Sequence, residues 1–191
     1  MKNKIIESLQ KELNSFSLKQ IETTLALLEE GNTIPFVARY RKEMTGSLDE
    51  VEIKTIQDRY QYLLNLSTRK EEVVRLIDEQ DKLTDELHQE ILNAKTLTEV
   101  EDLYRPYRQK RRTKATIAKE NGLEPLALFL LDLPFEGDVL KEAEKYLNEE
   151  VKTVEEALEG AHEIMAETVS DNASFRNFIR SYTVRNGVIT S

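Results

Sequence analysis

Apolar residues return every three or four positions along almost the whole chain. The residues that would interrupt such a pattern are scarce, with six glycines and four prolines in 191 residues. Val, Ile and Thr rarely alternate with polar residues, so the two-residue period of a strand is missing. The spacing predicts an all-α fold, a multi-helix bundle with short loops. Helix starts are marked by S/T-x-x-E/Q signatures, in which a hydroxyl takes a free amide of the first turn and the acid or amide reaches back. Ser17/Gln20, Ser47/Glu50, Thr96/Glu99, Thr98/Glu101 and Thr153/Glu156 all fit.

Read in order, a first amphipathic helix runs from Lys4 to Leu13, and a second follows Ser17 and stops at Gly31. Ile34-Pro35 opens a short helix in which Phe36 and Val37 are expected to be buried, and Gly46 ends it. Behind Ser47, the stripe Ile53, Ile56, Tyr60, Leu63, Leu64 continues through Val73, Val74, Leu76 and Ile77, with a joint expected near Ser67-Thr68. Thr84 caps a short helix. The helix begun at Thr96 or Thr98 is expected to end before Pro106, because proline disfavours helix in the residue before it.

Tyr107 to Lys114 is expected to be a loop. Ala115–Asn121, Gly122 and the segment from Pro125 to Leu131 have the small-turn-apolar spacing of a helix-turn-helix. Residues 133–137 form a linker and a candidate sub-boundary. Asp138, Thr153 and Asp171 are the expected caps of the last three helices, the final one carrying Phe175, Phe178, Ile179 and Tyr182 on one stripe.

Charge narrows the function. The chain carries a net charge of -9, yet residues 105–119 hold seven Lys or Arg and no Asp or Glu. A net acidic chain does not wrap nucleic acid over its whole surface, but it can hold one local phosphate-facing site. Arg105, Arg108, Lys110, Arg111, Arg112 and Lys114 are the candidate phosphate contacts, with Tyr107 or its neighbour Tyr104 placed to stack on a base. The alternative is a solvated loop whose arginines pair with carboxylates elsewhere. Arg39, Arg41 and Lys42 form a smaller secondary cluster, where Phe36 and Tyr40 suggest packing with snorkelling stems. The segment from Pro125 to Phe129 offers no Arg, Asn or Gln to read base edges, so a packing corner is favoured over a major-groove reader.

Other chemistries find little support. With no cysteine, disulfides and thiolate metal sites are excluded. The acid-x-x-His pairs Asp85/His88 and Glu159/His162 recur at a spacing that chance supplies in a chain with 36 acids. There is no Gly-rich phosphate loop, no G-x-S-x-G and no cysteine nucleophile, so no cofactor and no catalytic residue is expected. The N-terminus turns polar at once, and the longest apolar run, Leu126 to Leu131, is far shorter than the roughly 18 residues of a membrane span.

Three blocks carry a family resemblance. They are Ile34-Pro35-Phe36-Val37-Ala38-Arg39-Tyr40-Arg41-Lys42-Glu43 with Thr45-Gly46 and Leu48-Asp49-Glu50; Val100-Glu101-Asp102-Leu103-Tyr104-Arg105-Pro106-Tyr107 running into Lys110-Arg111-Arg112-Thr113; and Ala115-Thr116-Ile117-Ala118-Lys119-Glu120-Asn121-Gly122-Leu123-Glu124-Pro125-Leu126-Ala127. Together the chain resembles the N-terminal region of bacterial Tex-family transcription accessory proteins. The resemblance implies a cytoplasmic, nucleic-acid-associated protein linked to transcription, similar in layout to a eukaryotic elongation factor. It also implies a parent that continues into RNase H-like, helix-hairpin-helix and OB-fold RNA-binding domains, of which this chain is expected to be an N-terminal fragment. The expected partners are then RNA or DNA bound non-specifically, the remaining parent domains, and the transcription machinery. The alternative is a structural or protein-docking scaffold that binds no nucleic acid itself.

Overall fold

A computed structural model describes residues 2–108, 112–132 and 138–188. Within them the chain is all-α, with twelve α-helices and no strand. It divides into two units, residues 1–76 and 77–191, and the division falls within the fifth helix.

The first unit holds α1 (Lys2–Glu12), α2 (Leu18–Glu29), α3 (Ile34–Tyr40), α4 (Lys42–Thr45) and most of α5 (Glu50–Asp78). The start of α2 follows the sequence signature. The Gln20 amide donates to Ser17 Oγ at 3.3 Å and the Ser17 amide donates to Gln20 Oε1 at 2.9 Å. The signature at Ser47 does not act as a cap. Gly46 and Ser47 both take positive φ, 70° and 67°, which carries the left-handed turn one residue further. The cap therefore moves to Asp49, whose Oδ1 accepts from the amides of Val51 and Glu52, both at 2.8 Å, while Glu52 Oε2 accepts from the Asp49 amide.

The expected joint near Ser67-Thr68 is absent. The fifth helix runs unbroken for 29 residues, about 44 Å at the α-helical rise. No glycine or proline lies inside it. The modest helix propensity of Ser and Thr, a few tenths of a kcal/mol, cannot break a helix anchored by buried Leu66 and Val73 on either side. Ile5, Ile6 and Leu9 of α1, Ile21, Leu25 and Leu27 of α2, Val37 and Ala38 of α3, and Ile53, Ile56 and Leu63 of α5 form one core.

The second unit holds α6 (Asp85–Asn93), α7 (Leu97–Tyr104), α8 (Lys114–Glu120), α9 (Glu124–Leu131), α10 (Val139–Glu144), α11 (Val154–Asp171) and α12 (Ala173–Asn186). Pro106 sits inside a short 3-10 turn, Arg105–Tyr107, that continues α7. Of the two overlapping signatures before α7, Thr96 is the one that caps, accepting from the Glu99 amide at 3.2 Å. Residues 133–137, the expected linker, lie outside the described residues.

The helix-turn-helix-like pair α8–α9 turns at Gly122, whose φ of 82° suits a residue without a side chain. Both helices pack on α11, and their shared core is small and dense: Ala115, Ala118, Leu123, Leu126, Ala127, Ala143, Val151, Ala157, Ala161 and Ile164. Gly160 of α11 permits the close approach, since a Cβ there would come within 2.3 Å of Leu123 Cδ1. Thr153 and Glu156 form the predicted capping box at the start of α11. Thr153→Ala is expected to cost about 1 kcal/mol, read as a lowered urea midpoint at unchanged slope.

One expectation about the last helix needs correction. Asp171 is not its cap, because α11 runs through it and Asn172 takes the role, accepting from the Phe175 amide at 3.1 Å. The stripe Phe175, Phe178, Ile179 and Tyr182 faces solvent, with all four side chains exposed, Phe178 at 68 %. The helix is seated instead by its opposite, arginine-bearing face.

Candidate nucleic-acid interface

The basic corner is assembled from the end of α7, the 3-10 turn and the start of α8, all in the second unit. Thr113 caps α8, its hydroxyl accepting from the Thr116 amide at 3.1 Å. This makes Lys114 the first helical residue rather than the end of a loop. Tyr104 is buried and unable to stack on a base; Tyr107 is half-buried, with its carbonyl accepting from Gln80 Nε2 at 3.0 Å.

Most of the described cations face carboxylates. Arg105 Nε lies 2.8 Å from Asp171 Oδ1, Arg112 lies 2.6 Å from Glu120, Lys114 lies 3.2 Å from Glu163, and Lys119 lies 3.9 Å from Glu167. Among the described residues no carboxylate pairs with Arg108. Lys110 and Arg111 lie outside the described residues.

These pairs are not equivalent. Asp171 is nearly buried, its side chain 10 % exposed, so Arg105 is held in place as a structural ion pair. The Lys114 side chain is 74 % exposed and that of Arg112 67 % exposed, so each direct contact to its acid lies open to solvent. Exposed pairs of that kind are worth about 0–1 kcal/mol and are screened by salt, so a phosphate can replace the carboxylate at small cost.

A second charge cluster lies just behind the corner, and no pattern in the sequence pointed to it. Asp102 of α7 is buried and held by two arginines of α12, with Arg176 Nε at 2.7 Å from Oδ1 and a terminal Arg180 nitrogen at 2.7 Å from Oδ2. Arg176 also donates to the Ser170 carbonyl at 3.3 Å. Burial alone would push the Asp102 carboxyl upward. The hydrogen bonds and charges of Arg176 and Arg180 outweigh it and hold the carboxyl below its ordinary range. The one available hint was that residues 172–188 carry three arginines and no acid.

The secondary cluster sits in the first unit at the break between α3 and α4. Arg39 reaches Glu50 only at 3.7 Å, Arg41 lies over the Phe36 ring at 5.0 Å, and Lys42 is exposed. The two histidines sit on different helices, His88 on α6 and His162 on α11. Among the described residues no group of three or more His, Asp or Glu is arranged to hold a metal ion, and no helix is long and apolar enough to cross a membrane.

Two family models match the chain, and the first of them coincides with the first unit. Residues 3–78 match the Tex-like protein N-terminal domain, and residues 136–191 match the Tex central region-like family. The Bacillus subtilis protein YdcI is 57 % identical over 177 residues, which is 92 % of this chain and 25 % of that protein. The Neisseria gonorrhoeae transcriptional accessory protein Tex is 44 % identical over 177 residues, 92 % of this chain and 23 % of its own length. Human S1 RNA-binding domain-containing protein 1 is 30 % identical over 161 residues, 82 % of this chain and 16 % of that protein. The chain thus spans about a quarter of the length of the bacterial relatives it matches. With both family segments falling in order along an all-α chain, it belongs to the Tex-like family and represents that family's N-terminal region.

Proposed function

We propose that the chain is a helical accessory module of a transcription-associated, RNA-binding protein. In this reading it contacts phosphate non-specifically through the corner formed by Arg108, Lys110, Arg111, Arg112 and Lys114. The relatives' names supply transcription and RNA. The observation that carries the local reading is the exposure of Arg112 and Lys114, whose direct contacts to Glu120 and Glu163 lie at the surface, where ion pairs are weak. Contact at this corner is confined to the backbone, because α9, the second helix of the α8–α9 pair, presents no base-reading side chain. The module binds and does not catalyse, and it works inside the cell beside the rest of its parent and the transcription machinery. Labelled RNA should therefore stay intact when incubated with the chain and Mg²⁺.

Fluorescence anisotropy at low salt tests the patch. The native chain should bind single-stranded RNA and duplex DNA, and Arg111→Glu/Arg112→Glu should weaken both by about tenfold or more, on the scale of two charge-reversed phosphate contacts. Equal binding by the double variant would remove the patch.

A second reading, a docking scaffold without nucleic-acid contact, is favoured by the carboxylates that already face Arg105, Arg112, Lys114 and Lys119. The exposed apolar stripe of α12 also favours it. Under that reading neither ligand binds at low salt.

A further inference from the structure

The sequence pattern suggested that Phe36 and Tyr40 would pack, with the stems of the neighbouring cations snorkelling past them. The structure places the tyrosine otherwise: Tyr40, the last residue of α3, is 67 % exposed. Its ring lies 5.2 Å from that of Phe36 at an interplanar angle of 43°. The backbone leaves helical geometry at Arg41, with φ −128° and ψ 22°, and this turns the Arg41 side chain back over Phe36. One terminal nitrogen of Arg41 donates to the Tyr40 carbonyl at 3.1 Å. The result is a braced aromatic block with one ring open to solvent.

Cations flank the open ring on both sides in sequence. Arg39 is 70 % exposed, and its Glu50 contact at 3.7 Å is longer than a hydrogen bond. Lys42 is exposed, and no carboxylate pairs with it among the described residues. Glu43 is the lone acid between Ile34 and Leu48. An aromatic ring that packs on a neighbouring ring and is open to solvent, with exposed cations beside it in sequence, is the arrangement that single-stranded nucleic acid uses. Bases stack on the ring and phosphates meet the cations, without sequence preference.

We propose that Tyr40, braced by Phe36 and Arg41, is a stacking platform for an unpaired base, with Arg39 and Lys42 contacting the flanking phosphates. The proposal rests on the reading of the parent as a nucleic-acid-binding protein but uses a different surface, in the first unit of the chain. It requires unpaired bases, so it predicts a preference for single strands over duplex that phosphate contact alone would not give.

The test is anisotropy with a labelled oligouridine of about 12 nucleotides, within the site size of small single-strand binders. Tyr40→Ala should weaken binding about tenfold, within the range measured for loss of one base–aromatic stack. Tyr40→Phe should bind within about twofold of native, since the ring and not the hydroxyl stacks. The exposure of Tyr40 makes both variants fold normally, which circular dichroism checks. Native affinity for Tyr40→Ala, equal loss in Tyr40→Phe, a native chain that does not bind the oligomer, or the same Tyr40→Ala loss on duplex DNA would each overturn the platform. If Tyr40→Ala loses affinity while Arg111→Glu/Arg112→Glu does not, the platform stands and the basic corner falls. The converse pattern removes the platform alone.

Discussion

Leu126→Ala is expected to lower the stability of the second unit by about 3–4 kcal/mol, measured as a fall in urea midpoint. Leu126 is fully buried in α9, between the α8–α9 turn and α11. Six of the nine other buried residues in its core are alanines, whose methyl groups cannot reach into the vacated volume. The loss therefore includes both the transfer of the side chain and a cavity that stays open, which puts it near the middle of the range for leucine truncation. The same core sets the direction of α8, whose first residue is Lys114, so the variant should also loosen the basic corner. A fall of less than about 1 kcal/mol would mean that the α8–α9–α11 core is not packed as described.

Asp102→Ala is expected to cost about 2–3 kcal/mol, most of it as release of α12 rather than global unfolding. Removing the partner of a buried ion pair normally costs 3–5 kcal/mol, about that much because a charge is stranded in the interior. Here the stranded groups are Arg176 and Arg180, 32 % and 39 % exposed, and water can reach them; the lower figure follows. The effect should be local because α12 has little else to hold it: its apolar face is turned to solvent. Hydrogen exchange should show amides of 173–186 losing protection while those of α8 and α11 keep theirs.

The sign with pH follows from the depressed carboxyl. The stabilisation is complete above the ordinary carboxylate value of about 4 and is lost as pH falls below it toward the lower native value. Asp102→Asn should remove that portion of the acid sensitivity of α12. Unchanged protection of α12 in Asp102→Ala would show that the arginines do not seat it.

Periodicity reveals which residues share a face, and for most helices that was enough. The buried stripes of α1, α2, α5 and α11 are legible because an apolar face normally meets the core. For α12 the same rule picks out Phe175, Phe178, Ile179 and Tyr182 as one face, yet it cannot say which face points in. A single buried carboxylate on α7 reverses the outcome, since Asp102 draws the arginine face inward. Local chemistry also shifted the start of α5. The Ser47 signature was formally correct, but the left-handed geometry at Gly46 and Ser47 consumed the residues it needed, and Asp49 capped instead.

The basic corner shows the limit from the other side. Its cations are plain in the sequence, and the acids that face Lys114 and Lys119 are not. Glu163 and Glu167 lie far along the chain, four residues apart on one face of α11, and meet the lysines only because α8 packs there. A similar distance hid the bond between Arg105 and Asp171. What remained legible was the excess. Residues 105–119 hold seven Lys or Arg and no Asp or Glu, and that local run is what the proposed phosphate contact rests on.

The salt dependence of binding to duplex DNA tests that claim most directly. Five phosphate contacts from this corner predict a slope of about -4.5 for the logarithm of affinity against the logarithm of salt concentration. Arg111→Glu/Arg112→Glu should reduce its magnitude by about two contacts' worth, roughly 1.8. A slope near zero for the native chain, or one unchanged in the double variant, would contradict phosphate contact at the basic corner.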